Sequence, residues 1–286
     1  MKAKYINPFT DFGFKKIFGE EASKPLLLDF LNALLPQAKN IIDLTFKNHT
    51  QLGLTDESSK PIYDIYCENE RGEKFIVELQ KARKNYFKER TIYYATFTIQ
   101  EQAEKGEWNH NLKSVYCIGI LGFTFDDYVS EPERKEVVHT VKLKDQNNKI
   151  FYDKLTYIYL EMPNFVKTEK ELETRLDKWL FFIKYLEDFQ SIPMIFKDEI
   201  FIKSFEKAEL AKLAPGEKDN YENSLKIFRD LTNTIDTARE EGEIKGEIKG
   251  ETKEKFKVAA YMKTAGESID KIIQYTGLSR EEIEKI

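Results

Sequence analysis

Residues 61–80, PIYDIYCENERGEKFIVELQ, contain two apolar runs that alternate in the manner of β-strands and are joined by a polar turn. The turn Glu70-Arg71-Gly72 predicts a three-residue loop with its glycine in the left-handed conformation. Counting inward from such a loop places Asp64 opposite Glu78. The segment therefore predicts a hairpin that carries two acidic side chains on one face.

These two acids suggest a metal site. Directly opposed residues have Cβ atoms about 4.5–5.5 Å apart, so the carboxylates of Asp64 and Glu78 repel unless a cation lies between them. Gln80 lies two residues beyond Glu78 and shares its face. Mg²⁺, with Mn²⁺ as the alternative, accepts such oxygen ligands and can activate water for phosphodiester hydrolysis. The same spacing also fits a solvent-facing strand that binds no metal.

A basic segment follows the hairpin directly. Residues 81–90 hold five basic residues and one acidic residue, whereas the whole chain has a net charge of −5. Because that charge disfavours a uniformly basic surface, we expect any contact with DNA to be local. Arg90 and Tyr94 are four residues apart and therefore share a helix face. On that face, Arg90 either contacts a phosphate or pairs with a glutamate. The predicted DNA-binding residues are Lys81, Arg83, Lys84, Arg90 and Tyr94.

The rest of the chain predicts an α/β fold around this hairpin. Helical periodicity covers residues 11–35 and returns over residues 86–105, while residues 41–46 favour a short strand. Residues 115–121 are continuously apolar, which is typical of a buried central strand. The resulting order is helix, three strands, helix, strand, followed by further strands and a helical C-terminal region.

The C-terminal region predicts the domain organisation. Residues 239–257 form a charged repeat with glycine at 242, 246 and 250, which favours an exposed helix of marginal stability. We therefore expect four parts: a core over 1–165, a helical region over 166–238 that packs on or extends the core, a linker over 239–257, and a small helical tail over 258–286. Ser279 with Glu282 predicts a capping box in the tail, which resembles either a helix-turn-helix or an assembly element. Its several glutamates disfavour phosphate contact, so we expect homo-oligomer formation through these helices.

Other chemistries find little support. No apolar stretch approaches the ~20 residues that span a bilayer, and the first residues lack a signal-peptide pattern, so we expect a cytoplasmic protein. Cys67 and Cys117 lie in separate apolar runs, which predicts buried free thiols. His49, His110 and His139 are isolated, and neither a G-x-S-x-G nor a Walker motif occurs.

A set of short motifs resembles a known family. The motifs are Asn7–Gly19, the strand of Asp64, Glu78-Leu-Gln80, Arg90 with Tyr94, and Tyr159–Phe165. In this order they resemble the Rpn family of recombination-promoting nucleases and transposase-like proteins, over roughly residues 5–190. The resemblance implies a PD-(D/E)xK nuclease with a restriction-endonuclease-like α/β core. It also implies DNA endonuclease activity linked to recombination or mobile elements.

The resemblance assigns roles to individual residues. Asp64 and Glu78 correspond to the motif acids. Gln80 occupies the position of the superfamily lysine, and a glutamine there resembles the pattern of the Rpn family itself. A neutral amide can orient water or bind metal but carries no positive charge, which Lys15 or Arg90 would have to supply. A nuclease fold that binds DNA or protein without cutting is therefore the alternative function.

The first helix contributes a further acid by the same resemblance. Asp11 corresponds to the acidic residue that the superfamily often places there, although it could also serve as a helix cap or meet the helix dipole. Lys15 could equally be a solvated lysine. The expected enzyme is a Mg²⁺-dependent endodeoxyribonuclease with catalytic residues Asp11, Lys15, Asp64, Glu78 and Gln80.

Overall fold

A computed structural model describes residues 3–47, 63–83, 85–103, 109–125 and 136–286. Within these ranges, six strands form one mixed sheet in the order β1-β2-β3-β4-β6-β5. The strands are β1 (Leu44–Phe46), β2 (Ile65–Asn69), β3 (Lys74–Gln80), β4 (Val115–Leu121), β5 (Val138–Lys144) and β6 (Ile150–Glu161). β3, β4 and β6 are parallel, and the remaining pairs are antiparallel. The predicted α/β fold is confirmed.

The hairpin of β2 and β3 has the predicted register. Ile65 pairs with Val77, so Asp64, one residue before β2, lies across from Glu78. Gly72 has a φ of +77°, the left-handed conformation that the three-residue loop requires. Turn chemistry therefore sets which side chains meet at the far end of the hairpin.

Five helices complete the first part of the chain. They are α1 (Asp11–Phe18), α2 (Lys24–Leu34), α3 (Phe87–Gln100), α4 (Arg175–Tyr185) and α5 (Glu199–Ala208). The helical stretch predicted for residues 11–35 is divided, with a 3-10 turn over Glu21–Ser23 between α1 and α2. Pro25 lies in the first turn of α2, where its missing N–H costs no helix hydrogen bond.

The sheet has an apolar core on each face. Phe75, Val77 and Leu79 of β3 belong to the larger core, which includes the fully buried Trp179 of α4. Ile76 belongs to the smaller core, together with residues of α3, β4 and β6. Because side chains alternate along a strand, Glu78 and Gln80 lie on the same face as Ile76, toward α3.

The two cysteines lie in strands of the sheet, Cys67 in β2 and Cys117 in β4. Cys67 and Cys117 are buried free cysteines, as predicted. Across the described ranges, no helix is long and apolar enough to cross a bilayer.

The chain divides into two units, residues 1–228 and 229–286. The remaining helices are α6 (Pro215–Thr264), α7 (Ile269–Thr276) and α8 (Arg280–Glu284), and residues 239–257 lie inside α6. In the second unit, Ala259 of α6 packs with Ile272, Leu278 and Ile283. The capping box expected at α8 is present, with Ser279 as the N-cap. The predicted domain boundaries stay a prediction.

Candidate functional site

The centre of the site is the open end of the hairpin, where Asp64 faces Glu78. Oδ2 of Asp64 accepts a hydrogen bond from the backbone N–H of Leu79 at 2.8 Å. Oε2 of Glu78 accepts one from Nε2 of Gln80 at 2.9 Å. Oε1 of Glu78 is buried and has no hydrogen-bond partner among the described residues. One carboxylate oxygen is therefore desolvated and uncompensated, which is costly for an ionised group.

The two acids resist being charged together. Burial raises the pKa of Glu78 to about 8, with the Asp64 charge adding to the shift and Arg90 opposing it. Burial also raises the pKa of Asp64, against the lowering effects of the Leu79 N–H and of Lys15. A cation between the carboxylates would favour the charged form of both.

Gln80 connects Glu78 to α3. Its Nε2 donates to Glu78, while its Oε1 accepts a hydrogen bond from the guanidinium of Arg90. The guanidinium carbon of Arg90 lies 6.0 Å from the ring centre of Phe87 and 5.8 Å from that of Tyr94. The amide of Gln80 thus joins a carboxylate on the sheet to a cation on the helix.

Two charged residues of α1, Asp11 and Lys15, line the same cleft as Asp64. Lys15 forms an ion pair with Asp11 at 2.8 Å, and the charges of both residues act on the pKa of Asp64. Thr10 is the N-cap of α1 and accepts the N–H of Gly13 at 2.9 Å. The cap is therefore Thr10, and Asp11 occupies the first turn, where a negative charge meets the helix dipole favourably.

A cleft of about 650 Å³ extends from Asp64 between α1 and the first turns of α6. Lys81 lines it, and burial lowers the pKa of its ammonium against the opposing charges of Asp11 and Asp64. The α6 wall of the cleft consists of Asn220, Asn223, Ser224 and Ile227. The sequence analysis missed this wall because no motif links residues so far apart along the chain to Asp64.

The comparison with protein families agrees with this geometry. The family model described as PD-(D/E)XK nuclease family transposase matches residues 8–238. The chain belongs to this family. No curated protein and no solved structure matched the chain. Membership supports a nuclease, hence a hydrolase, and agrees with the mixed sheet and its helices.

The donor set of this PD-(D/E)XK protein fits a hard divalent cation. In the described parts of the chain, no group of three or more Asp, Glu, His or Cys side chains is gathered as a metal cluster. The donors free to bind a cation are the carboxylates of Asp64 and Glu78, including Oε1 of Glu78, because the amide oxygen of Gln80, the third predicted ligand, accepts a hydrogen bond from Arg90. Mg²⁺ needs only one or two carboxylates because it keeps several of its waters.

Four of the five predicted DNA-binding residues are described, and they lie in different surroundings. Lys81 lines the cleft near α1, whereas Tyr94 lies beside Glu78 and Gln80. Arg83 is exposed between β3 and α3, and Lys84 lies outside the described residues. Arg90 is half-buried, and its guanidinium is turned toward Gln80. Contact of these residues with DNA stays a prediction.

A glycine sets the approach of the next strand to the site. The N–H of Gly122, just after β4, donates to the carbonyl of Gln80 at 2.8 Å. A Cβ atom at position 122 would lie 2.6 Å from the carbonyl oxygen of Lys81, too close for any other residue without backbone movement. Sequence analysis did not single out Gly122, since its requirement arises only from a contact between two strand ends.

Proposed function

We propose that this protein is a Mg²⁺-dependent DNA endonuclease of the cytoplasm that hydrolyses phosphodiester bonds in recombination or the movement of mobile DNA. The observation that carries the proposal is the uncompensated Oε1 of Glu78, buried opposite a second carboxylate, Asp64. Elsewhere in a fold such an oxygen is a destabilising feature. A cation bound to Oε1 would compensate the buried charge of Glu78.

Asp64 and Glu78 would hold the metal through their carboxylates, and Gln80 would hold Glu78 in place, with Mn²⁺ as an alternative to Mg²⁺. A bound ion would supply Lewis acidity and an activated water. The chain itself holds the ligands, because the Leu79 N–H fixes Asp64 and Gln80 fixes Glu78. The cleft beside Asp64 is large enough for a backbone phosphate with its sugar.

Positive charge near the cleft supports a phosphate-containing substrate. Lys15 and Lys81 both line the cleft beside Asp64. Cationic side chains at such a position bind phosphate oxygens and offset charge that develops during hydrolysis. We therefore assign both lysines to substrate binding, and Asp11 to orienting Lys15 through their ion pair.

The test is a cleavage assay with the purified full chain. Supercoiled plasmid DNA and a structured RNA are incubated separately with Mg²⁺, Mn²⁺, Ca²⁺ or chelator. We expect nicking and linearisation of the plasmid in Mg²⁺ or Mn²⁺ and intact plasmid in chelator. Cleavage that is unaffected by chelator, or none in any metal, would contradict the proposal, and preferential cutting of the RNA would reassign the substrate.

A second candidate is a nuclease fold that binds DNA or a protein without cutting it. Gln80 favours this reading, because a neutral amide stands where the motif of the PD-(D/E)xK superfamily has a lysine. A chain of this kind would shift the plasmid in a gel in Ca²⁺ and leave it intact in Mn²⁺. The same samples therefore separate the two functions.

We also propose self-association through the C-terminal helices. Ile244 and Ile248 are exposed on α6 amid charged residues, so they offer apolar surface to a second copy. Light scattering of the full chain and of a chain that ends at residue 239 measures this. A monomeric full chain would rule it out.

A further inference from the structure

Gln80 is held at both ends of its amide. The NH₂ group donates to Oε2 of Glu78, and the oxygen accepts from Arg90. The reverse orientation would place the amide oxygen against the carboxylate and the NH₂ group against the guanidinium, losing both hydrogen bonds. The neighbours therefore fix the orientation of the amide, and the amide in turn fixes Oε2 of Glu78. The free oxygen of that carboxylate is consequently Oε1.

The guanidinium of Arg90 faces the space between α3 and the sheet, where it contacts Gln80. Arg90 is half-buried on α3, and its Nε is buried without a hydrogen-bond partner among the described residues. A small cavity of about 20 Å³ separates α3 from the sheet here, with Glu78, Gln80 and Tyr94 among its lining residues. A guanidinium in such surroundings is costly unless an anion compensates it. Glu78, reached through Gln80, is the acid that this arrangement offers.

We propose that Arg90 is a positioning residue for metal binding, which acts through Gln80 to hold Glu78 with one oxygen free for a divalent cation. In the PD-(D/E)XK motif, a lysine on the strand supplies a positive charge. Here Arg90 supplies that charge from α3. This inference rests on the proposed function. It moves the role of Arg90 from contact with DNA to the organisation of the metal ligands.

The chemistry explains why position 80 is a glutamine. A lysine there would donate to Glu78 but could not accept from Arg90, and its ammonium would face the guanidinium. An amide is neutral and both donates and accepts. The residue types at positions 80 and 90 should therefore depend on each other.

A charge-exchange cycle tests this dependence. The variants are Gln80→Lys, Arg90→Gln and the double variant, all in the full chain, with Ca²⁺ affinity measured by calorimetry and plasmid cleavage in Mg²⁺ as the second readout. We expect each single variant to lose about 10-fold or more in Ca²⁺ affinity, as for loss of a partner of a metal ligand. The double variant should bind Ca²⁺ more tightly than either single variant, because residues in one hydrogen-bond network do not contribute additively. In it, the lysine donates to Glu78 and the new glutamine accepts from the lysine.

Two further variants separate positioning from simple loss of structure or charge. Arg90→Lys keeps the charge and a donor, and should retain more affinity than Arg90→Gln. Lys88→Gln removes a positive charge from the same helix without removing a contact to Gln80, and should bind Ca²⁺ as the wild type does. Thermal unfolding in chelator identifies any variant that does not fold, and Arg90→Lys then still tests the idea.

The outcomes distinguish this inference from the proposed function. Wild-type Ca²⁺ affinity in Gln80→Lys, or a double variant no better than the weaker single variant, would overturn the role of Arg90 alone. A wild-type chain that neither binds divalent cations nor cuts DNA would overturn the proposed function and this inference with it. Wild-type cleavage with rescue in the double variant supports both.

Discussion

The two ends of the β2–β3 hairpin differ in how far the carboxylate of a buried acid is hydrogen-bonded. At the turn end, Glu73 is only 8% exposed, and its Oε2 accepts hydrogen bonds from Nδ2 of Asn69 at 2.7 Å and Nε of Arg71 at 2.9 Å. Burial alone would raise the pKa of Glu73, but these hydrogen bonds and the charge of Arg71 lower it. The carboxylate is charged and satisfied.

At the open end, no cationic side chain in the described parts of the chain contacts Glu78 directly. Its pKa is raised to about 8, and Oε1 has no partner among the described residues. A protein can satisfy a buried acid within one strand's length of this site, as Glu73 demonstrates. The open end therefore leaves a carboxylate oxygen available to a ligand at a cost in stability, which is expected of a functional site.

The largest effect should follow from neutralising an acid at the open end. Asp64→Asn or Glu78→Gln removes a metal ligand at nearly constant shape. We expect loss of plasmid cleavage by more than the 10- to 100-fold that loss of a supporting partner costs, together with weaker Mg²⁺ binding. In chelator, thermal stability should be unchanged or higher, because repulsion between the carboxylates is relieved. Full nicking activity in Glu78→Gln would end the assignment of this site.

The second effect concerns pH. An acid whose pKa is raised on folding stabilises the fold below its unfolded pKa, and this contribution is lost as pH rises through the folded value. For Glu78 the window runs from 4.5 to about 8. In chelator, Glu78 should therefore lower the free energy of unfolding across this window by at most about 1.4 kcal/mol per pH unit, and Glu101, whose pKa burial raises to about 7, adds a second decline. Denaturant unfolding at several pH values measures the slope.

Two comparisons check the origin of that slope. Glu78→Gln should make the slope shallower and leave the Glu101 contribution, and saturating Mg²⁺ should remove the Glu78 part of the decline because the ion binds the charged form. An unchanged slope in Glu78→Gln would mean that other groups control the pH dependence.

At the turn end, we expect a loss of stability with no loss of metal binding. Glu73→Gln leaves Arg71 without its buried anion and should lower the free energy of unfolding by about 1–3 kcal/mol. Calorimetric titration should give the Mg²⁺ affinity of the wild type. A matching fall in Mg²⁺ affinity would show that the two ends are coupled, contrary to the comparison.

The smallest effect should come from the loop itself. Gly72→Ala forces a side chain into the left-handed backbone conformation and should cost about 1 kcal/mol. The register, and hence the pairing of Asp64 with Glu78, should persist, so cleavage should continue at temperatures where the variant is folded. A loss of cleavage in a folded Gly72→Ala chain would point to a shifted register.

The sequence predicted those parts of the site that depend on local rules. Turn length and strand alternation were enough to place Asp64 across from Glu78, and a serine followed by a glutamate was enough to place the cap of α8. The break within residues 11–35 falls just before Pro25, because proline cannot continue an earlier helix but fits the first turn of a new one.

The sequence did not predict features that depend on packing between distant segments. Spacing gave Arg90 and Tyr94 a common helix face, but not the rotation of α3 that turns Arg90 toward Gln80. Nor does any pattern near Asn223 indicate that α6 forms a wall beside Asp64. Such contacts are set by the arrangement of helices on the sheet, which periodicity does not specify.

Gly122 has a consequence for how this protein can evolve. Its missing side chain leaves room for the carbonyl of Lys81, so selection on the site extends to a residue that has no functional group at all. Drift at position 122 should be as restricted as at the acids themselves. A lineage that keeps Asp64, Glu78 and Gln80 but loses this glycine would keep the ligands and lose the backbone geometry that supports them.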